Sequence, residues 1–241
     1  MRGLEMMRSL YLIRHGQASF GKDNYDRLSD LGLEQAHILG DCFAKQGLRF
    51  DALYSGSMVR QIDTATTVMS RLGKNGSIEA PMVLPEFDEF DASFIITSQI
   101  DAMSEEDPSM SEAFGKIYTD RRSLQMILET AVMRWISGRY EIPGVETWSS
   151  FQSRVKRGVL KIMHDNQSGK KVALFTSGGP MSAVVQIALG LSNEKTIQLA
   201  WQILNTAVST FRFNTDRLSL TTFNSIAHLR HLNNPDMVTY R

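Results

Sequence analysis

Apolar and polar positions along the chain follow two alternating patterns, one typical of buried strands and the other of amphipathic helices. Residues 10–13 (Leu-Tyr-Leu-Ile) form a short apolar run, which predicts a buried strand. Ser29 then precedes apolar residues at helical spacing, so a helix is predicted that Ser29 caps and Gly47 ends. The patterns repeat, predicting a strand over 51–54, a helix over 57–72 and a strand over 78–84.

The regular alternation stops after Glu86. From there to about Pro143 the segment is longer than a normal crossover, and it contains a loop around 107–108 and a predicted helix over 111–135. We interpret residues of about 87–145 as a helical cap inserted into a single domain. Beyond it we expect a helix over 146–166, a strand over 171–175, a helix ending near 189, and a hairpin of strands over 208–213 and 218–223.

Strands that alternate with helices predict the α/β class with a mostly parallel sheet. A chain of 241 residues with 42% hydrophobic content can bury one such core. The net charge is zero and no basic run occurs, so we expect no nucleic-acid partner. We expect a cytoplasmic protein without a membrane partner, because the sequence has neither a secretory signal nor a transmembrane run. The single cysteine, Cys42, excludes an internal disulfide and a cysteine-rich metal site.

Residues suited to phosphate binding follow three predicted strands. Arg14 and His15 end the first strand, Arg60 lies just beyond the second, and residues 176–179 (Thr-Ser-Gly-Gly) end a later one. In a parallel sheet, ligands bind beyond the carboxyl ends of the strands, where the N-termini of the following helices favour anions. Taken singly, Arg60 is an ordinary surface charge and the Ser-Gly-Gly a tight turn. In combination they predict a phosphate pocket, because arginine holds phosphate bidentately.

Residues 12–16 (Leu-Ile-Arg-His-Gly) resemble the signature of the histidine phosphatase, or phosphoglycerate mutase-like, superfamily. Further similarity lies at 28–36, at 55–60 with Thr64-Ala65, at 84–86, at 144–147 with Arg154-Val155, and at Asn205-Thr206, Asn224 and His228-Leu229. The resemblance spans about 10–230. It implies a three-layer α/β/α fold, with a mostly parallel sheet and an inserted helical cap. Residues 17–19 (Gln-Ala-Ser) lack the arginine and proline of the acid phosphatase branch.

The resemblance implies phosphomonoester hydrolysis in two steps. His15 would accept the phosphoryl group as a phosphohistidine, while Arg14 and Arg60 hold its oxygens. Glu86 would protonate the leaving alkoxide and then activate water, with Glu89 as the alternative for this role. Because the arginines neutralise the phosphate charge, no metal and no cofactor is implied.

One position departs from the family pattern. Ser177 stands where the family carries its second catalytic histidine. The Ser177 hydroxyl and the Gly178 N–H would still bind phosphate, but losing one donor costs about 10²–10³ in rate. The alternative hypothesis is therefore a catalytically impaired phospho-ligand binding or regulatory protein on the same fold. A phosphoglycerate mutase ranks last, because residues 87–91 after Glu86 lack the glycine-containing sequence of mutases.

We expect the ligand to be a small phosphorylated metabolite or another phosphomonoester. Its recognition should depend on the cap, which holds four arginines: Arg121, Arg122, Arg134 and Arg139. The C-terminal hairpin, if it lies at a sheet edge, would offer a surface for a homodimer.

Overall fold

The computed structural model describes residues 8–19, 26–73, 80–140, 142–167 and 169–240. Packing of the Cα atoms divides the chain into two compact units. The first unit comprises Met1–Glu89 with Arg154–Arg241, and the second comprises Phe90–Ser153. The predicted cap of about 87–145 stays a prediction. All residues predicted to act in chemistry belong to the first unit.

The first unit is built on a sheet of six strands, ordered β3-β2-β4-β1-β5-β6 among the described residues. The strands are β1 (Arg8–Arg14), β2 (Ala52–Ser55), β3 (Met82–Val83), β4 (Lys171–Thr176), β5 (Val208–Phe213) and β6 (Leu218–Ser225). The first four strands are parallel: β1 pairs with β4, β4 with β2, and β2 with β3. β5 is antiparallel to both of its neighbours, β1 and β6. The predicted mostly parallel sheet with a terminal hairpin is confirmed. Of the strand predicted over 78–84, residues 78–79 lie outside the described ranges, and only Met82–Val83 is a strand.

Helices connect these strands. In chain order they are α1 (Asp30–Lys45), α2 (Val59–Arg71), α3 (Ala92–Thr97), α4 (Ile100–Glu106), α5 (Ser109–Phe114), α6 (Arg121–Ser137), α7 (Trp148–Asp165), α8 (Gly178–Leu189), α9 (Asn193–Ala200) and α10 (Ala227–Arg230), with 3₁₀ turns at Pro85–Phe87 and Pro235–Met237. Sequence analysis missed α9, which is short and follows α8 after three residues. In the part of the chain that is described, no helix is both long and apolar enough to cross a membrane.

The predicted cap on α1 is confirmed. The Ser29 Oγ accepts a hydrogen bond from the Gly32 N–H at 3.0 Å, which satisfies one of the free donors of the first helical turn. The apolar face of α1 then packs into the core of the first unit, where Leu39 and Phe43 meet Ile13 of β1. Packing of helix against sheet thereby fixes α1 beside the end of β1.

The second unit corrects one prediction. Sequence analysis expected one helix over 111–135, but the structure has α5 and α6 with a break between Phe114 and Arg121. The break has a local cause, because the Asp120 carboxylate caps α6 by accepting from the N–H groups of Arg122 and Ser123. The loop expected around 107–108 is preceded by two further short helices, α3 and α4.

An aromatic cluster forms much of the core of the second unit. Trp135 packs edge-on against Trp148 with ring centroids 5.1 Å apart, and it also contacts Phe90 and Phe151. The Trp135 Nε1–H donates to the Glu146 carbonyl at 2.6 Å, so this indole is both packed and hydrogen-bonded.

Candidate active site

The register of the parallel strands brings three strand ends together. Arg14 on β1 pairs with Thr176 on β4, and Phe175 on β4 pairs with Ser55 on β2. The residues that follow these strands, such as His15 and Ser177, therefore leave the sheet at the same end, where the strands have their carboxyl termini. A pocket at the carboxyl ends of the strands is thus possible, as the sequence predicts.

His15 has a defined tautomer in this site. Its side chain is buried, with 3% of the residue exposed. The Nδ1 lies 2.7 Å from the Gly16 carbonyl oxygen, which can only accept, so Nδ1 carries the proton. The Nε2 lies 3.2 Å from the Arg60 Nε, which can only donate, so Nε2 carries the lone pair. The geometry thus leaves Nε2 as the nitrogen with the lone pair that a nucleophile would use.

Electrostatics keep this imidazole neutral. Burial, which disfavours the charged form, holds the pKa of His15 well below its usual value of 6.5. The positive charges of Arg14 and Arg60 lower the pKa further, and the hydrogen bond to the Gly16 carbonyl opposes them only in part. A neutral histidine keeps its lone pair at physiological pH, which a nucleophile requires.

Arg60 is paired with a carboxylate that sequence analysis did not single out. The Arg60 Nη1 contacts Asp26 Oδ1 at 2.7 Å, and the Val59 N–H donates to Asp26 Oδ2 at 2.9 Å. Asp26 thereby compensates an arginine of which only 5% is exposed. The Asp26 carboxylate lies at the N-terminus of α2, where negative charge is favoured.

Arg14 is held by a backbone carbonyl and lies beside the start of α8. Its Nη1 donates to the carbonyl oxygen of Ile203. A Cβ placed on Gly178 would lie 3.9 Å from the Arg14 Nε, so the first turn of α8 adjoins this guanidinium. The Gly178 N–H belongs to the N-terminal turn of α8, whose N–H groups have no intrahelical acceptor and favour anions.

Side chains from distant parts of the chain hold the backbone next to His15. The Gly16 N–H donates to Thr64 Oγ1 at 3.0 Å, and the Gln17 N–H donates to Gln35 Oε1 at 2.9 Å. The Asn205 Nδ2 donates to the His15 carbonyl at 3.1 Å. These three supports come from α2, α1 and the segment before β5, so they fix the loop from several directions.

Ser177 is fully buried, and its hydroxyl accepts a hydrogen bond from the Gln61 Nε2 at 2.8 Å. The same Gln61 amide donates to the Phe87 carbonyl at 3.2 Å. Room for Gln61 exists because position 56 is glycine, where an added Cβ would collide with the Gln61 amide. Gln61 therefore occupies the space beside Ser177 and orients its hydroxyl.

The two candidate acid/base carboxylates lie three residues apart. Glu86 is half-buried in the 3₁₀ turn, and the Arg154 Nη1 fixes this turn by donating to the carbonyls of Glu86 at 3.0 Å and Asp88 at 2.8 Å. Glu89 Oε2 accepts from the Gly179 N–H at 3.0 Å. Glu89 thus binds the N-terminus of α8, two residues after Ser177.

The cap arginines differ in their surroundings. The Arg134 guanidinium pairs with Glu106 at 2.5 Å and stacks over the Tyr140 ring at 3.7 Å, so it contributes to packing within the second unit. Arg121 and Arg122 are exposed and line an open groove of about 440 Å³, and Arg139 is exposed. In the described ranges, no group of three or more His, Cys, Asp and Glu residues is arranged to hold a metal ion.

Several residues of the site were missed by sequence analysis. The structure adds Asp26, Gln35, Gln61 and Asn205, each through a side-chain contact with His15, Arg60, Ser177 or their backbone neighbours. Asn205 was noted only as part of a C-terminal pattern, and Thr64 only as part of a motif. Gln35 was likewise noted only within the motif at 28–36. Asp26 and Gln61 lay in no quoted motif, and their polar type alone did not distinguish them from other polar residues.

Known proteins resemble this chain in fold and sequence. The phosphoglycerate mutase structure from Bacillus anthracis matches with a TM-score of 0.63, covering 95% of this chain and 98% of that chain at 14% identity. Phosphoserine phosphatase from Entamoeba histolytica matches with a TM-score of 0.61, covering 92% and 100% at 20% identity. These likenesses confirm the predicted phosphoglycerate mutase-like fold.

Sequence comparison agrees. The 2,3-bisphosphoglycerate-dependent phosphoglycerate mutase of Rhizobium johnstonii is 22% identical over 211 residues, which are 80% of this chain and 85% of the relative. The sequence profile of the histidine phosphatase superfamily (branch 1) matches residues 10–112 and 93–226. Since these matches extend over most of the sequence, the chain belongs to branch 1 of the histidine phosphatase superfamily.

Proposed function

We propose that the protein hydrolyses phosphomonoesters through a phosphohistidine on His15. The observation that carries the proposal is the state of His15: buried, held neutral, protonated on Nδ1 and flanked by two arginines. A histidine with a merely structural role has no need for two positive neighbours that disfavour its own charge.

In the first step, the His15 Nε2 lone pair attacks phosphorus and the bond to the ester oxygen breaks. The Arg60 Nε, which now donates to Nε2, transfers its hydrogen bond to a phosphoryl oxygen and so releases the lone pair. Arg14, Arg60 and the Gly178 N–H stabilise the charge that concentrates on the equatorial oxygens. The leaving alkoxide takes a proton from a carboxylic acid.

In the second step, the same carboxylate removes a proton from water, and the water oxygen attacks phosphorus. Inorganic phosphate leaves, and His15 returns to its neutral form. We assign this role to Glu86, whose carboxylate has no hydrogen-bond partner among the described residues. Glu89 is the alternative, although its carboxylate is engaged by the Gly179 N–H.

The substrate we propose is a small phosphorylated metabolite or another phosphomonoester. Support comes from the structural likeness to a phosphatase described in complex with phosphoserine. Curated relatives of similar length are named phosphoglycerate mutases, so mutase activity is a further candidate. It ranks last because the segment after Glu86 lacks the mutase sequence.

A second candidate function is phospho-ligand binding with catalysis lost. The observation that favours it is Ser177, which stands in place of the second histidine and whose hydroxyl is buried against Gln61. A neutral hydroxyl is a weaker donor to a phosphoryl group than a charged imidazolium. Such a protein would bind phosphate without turning over an ester.

The test compares purified wild type, His15→Ala and His37→Ala on a panel of phosphomonoesters. His37 is an exposed histidine on α1 and serves as the matched control. Phosphate release that disappears in His15→Ala and persists in His37→Ala supports the phosphatase. So does acid-labile ³²P, transferred from labelled substrate, on wild type and His37→Ala but not on His15→Ala. Release that persists in His15→Ala refutes it. Phosphate or vanadate binding without release favours the binding protein, and phosphoryl exchange on phosphoglycerate favours the mutase.

Two further variants distinguish the carboxylates. Glu86→Gln should lower kcat by about 10²–10⁴, the range for a lost general acid/base, while Glu89→Gln should lower it much less. The reverse order would assign the role to Glu89. Burst kinetics with an activated leaving group separate the steps, since phosphohistidine formation then needs no acid.

A further inference from the structure

We propose that Thr239 is a positioning residue for the nucleophile. Its hydroxyl joins the two buried amides that hold the backbone at His15 and at Gln17. This role presupposes the phosphatase activity proposed above, because its consequence is the rate of phosphoryl transfer to His15. Thr239 lies 224 residues from His15 in sequence and belongs to no motif that sequence analysis singled out.

The contacts form a closed bridge around the loop. The Asn205 Nδ2 donates to the His15 carbonyl at 3.1 Å, while its Oδ1 accepts from the Thr239 hydroxyl at 2.9 Å. The Gln35 Oε1 accepts from the Gln17 N–H at 2.9 Å, while its Nε2 donates to the Thr239 hydroxyl at 2.9 Å. One hydroxyl thus binds the far end of both amides.

The hydroxyl also contributes to the direction in which each amide faces. A side-chain amide has a donor end and an acceptor end, and rotation by half a turn exchanges them. The Thr239 O–H donates to Asn205, so the Asn205 NH₂ is directed at the His15 carbonyl. The Thr239 oxygen accepts from Gln35, so the Gln35 carbonyl is directed at the Gln17 N–H. The Met237 carbonyl also accepts from the Gln35 Nε2, so the hydroxyl reinforces the direction of Gln35 and is the donor that sets the direction of Asn205.

Burial makes the bridge difficult to replace by water. Asn205 and Gln35 are fully buried, and Thr239 is half-buried. The segment that carries Thr239 is itself fixed, because the Asn205 N–H donates to the Thr239 carbonyl and the Gln35 Nε2 donates to the Met237 carbonyl, both at 2.9 Å. Loss of the hydroxyl would therefore leave the segment docked and Gln35 held by the Met237 carbonyl, while the Asn205 Oδ1 loses its donor.

The experiment compares Thr239→Val with Thr239→Ser. Valine keeps the shape and removes the hydroxyl, whereas serine restores it. Thr221→Val is the control, because the Thr221 hydroxyl bonds Thr210 on the β5–β6 hairpin, away from the site. For p-nitrophenyl phosphate, Thr239→Val should lower kcat by about 10²-fold, the cost of misplacing a reacting group by about 1 Å. KM should change less than threefold, because the arginines that bind phosphate stay in place.

Thr239→Ser should recover kcat to within about threefold of wild type, and Thr221→Val should not differ from wild type. Rates are expressed per folded molecule, from urea unfolding of each variant. A wild-type kcat in folded Thr239→Val overturns the proposal, and so does a serine variant as slow as the valine variant. Should Thr239→Val fail to fold, Thr239→Cys replaces it, with a weak donor that should give an intermediate kcat. A cysteine variant at the wild-type rate overturns the proposal.

A second readout separates this proposal from the phosphatase assignment. In ¹⁵N-histidine-labelled protein, the imidazole nitrogen shifts of His15 report its tautomer and surroundings without any turnover. We expect Thr239→Val to shift or broaden these resonances, and Thr221→Val to leave them unchanged. If the wild type releases no phosphate, the phosphatase assignment fails. An unchanged His15 spectrum in Thr239→Val overturns the positioning role in either case.

Discussion

Gly32 on α1 is in contact with the loop that follows His15, the proposed nucleophile. A Cβ on Gly32 would lie well inside 3.0 Å of the Gln17 carbonyl oxygen and 2.8 Å from the Gln17 nitrogen. Real Cβ atoms are essentially never closer than 3.0 Å to other heavy atoms. Because the clashing atoms belong to the backbone, Gly32→Ala must move either the start of α1 or the loop after His15 by about 1 Å.

Two opposing terms decide the stability of Gly32→Ala. Alanine is a better helix former than glycine by about 1 kcal/mol. Overpacking against a fixed backbone costs about 1–3 kcal/mol, so the clash should exceed the propensity gain. We expect a net destabilisation of about 1–2 kcal/mol. The larger effect should be on catalysis, where a displacement of about 1 Å costs about 10²-fold in kcat.

Gly47→Ala provides a control of similar stability cost. Gly47 has a positive φ of 62° with nothing within 4 Å of an added Cβ. Alanine there costs about 1–2 kcal/mol through backbone strain alone. The assay measures kcat on a phosphomonoester at a temperature where urea titrations show all variants folded. Gly47→Ala should keep wild-type kcat and Gly32→Ala should lose about 10²-fold. Equal kcat in the two variants would show that the contact does not position His15.

Two other predictions follow from buried polar groups. Burial lowers the pKa of His228 to about 4, so the unfolded state binds a proton first as the pH falls. The free energy of unfolding should therefore decrease by about 3 kcal/mol between pH 6.5 and 4, and His228→Asn should remove this part in urea titrations. Identical pH profiles of wild type and variant would contradict the assignment. In Ser177→His, the imidazole should overpack the space that Gln61 occupies, which lowers the free energy of unfolding by about 1–3 kcal/mol. The double variant Ser177→His/Gln61→Ala should have a kcat about 10²-fold above wild type. A double variant no faster than wild type would show that a histidine at position 177 adds no useful donor.

Sequence alone could predict the sheet because its strands are local patterns. The apolar run before Arg14 and the Ser29 cap depend only on neighbouring residues, and both have the predicted form. The break at Asp120 was missed because the helical spacing continues through it. An aspartate can equally lie on an exposed helix face, so its capping role depends on a local backbone conformation that spacing does not encode.

Residues of the candidate site also fall into those that the sequence could predict and those that it could not. Arg14, His15 and Arg60 follow strand ends, so their convergence could be predicted from topology, although their roles stay predictions. The contact of Gln61 with Ser177 joins residues 116 positions apart, and nothing in either local sequence indicates it. Pairings of polar side chains over such separations depend on the packed structure, which explains why the supports of the site escaped sequence analysis.

The supports of the loop after His15 have a consequence for when in folding the candidate site forms. The backbone of this loop is held by Thr64 and also by Asn205, which lies 190 residues beyond His15. β1 itself pairs with β4 on one side and β5 on the other, and both strands follow much later in the sequence. During synthesis, a nascent chain that already contains Arg14, His15, Arg60 and Glu86 still lacks Asn205, β4 and β5. Loop closure over such separations is slow, so we expect the nucleophile to become competent only at the end of folding.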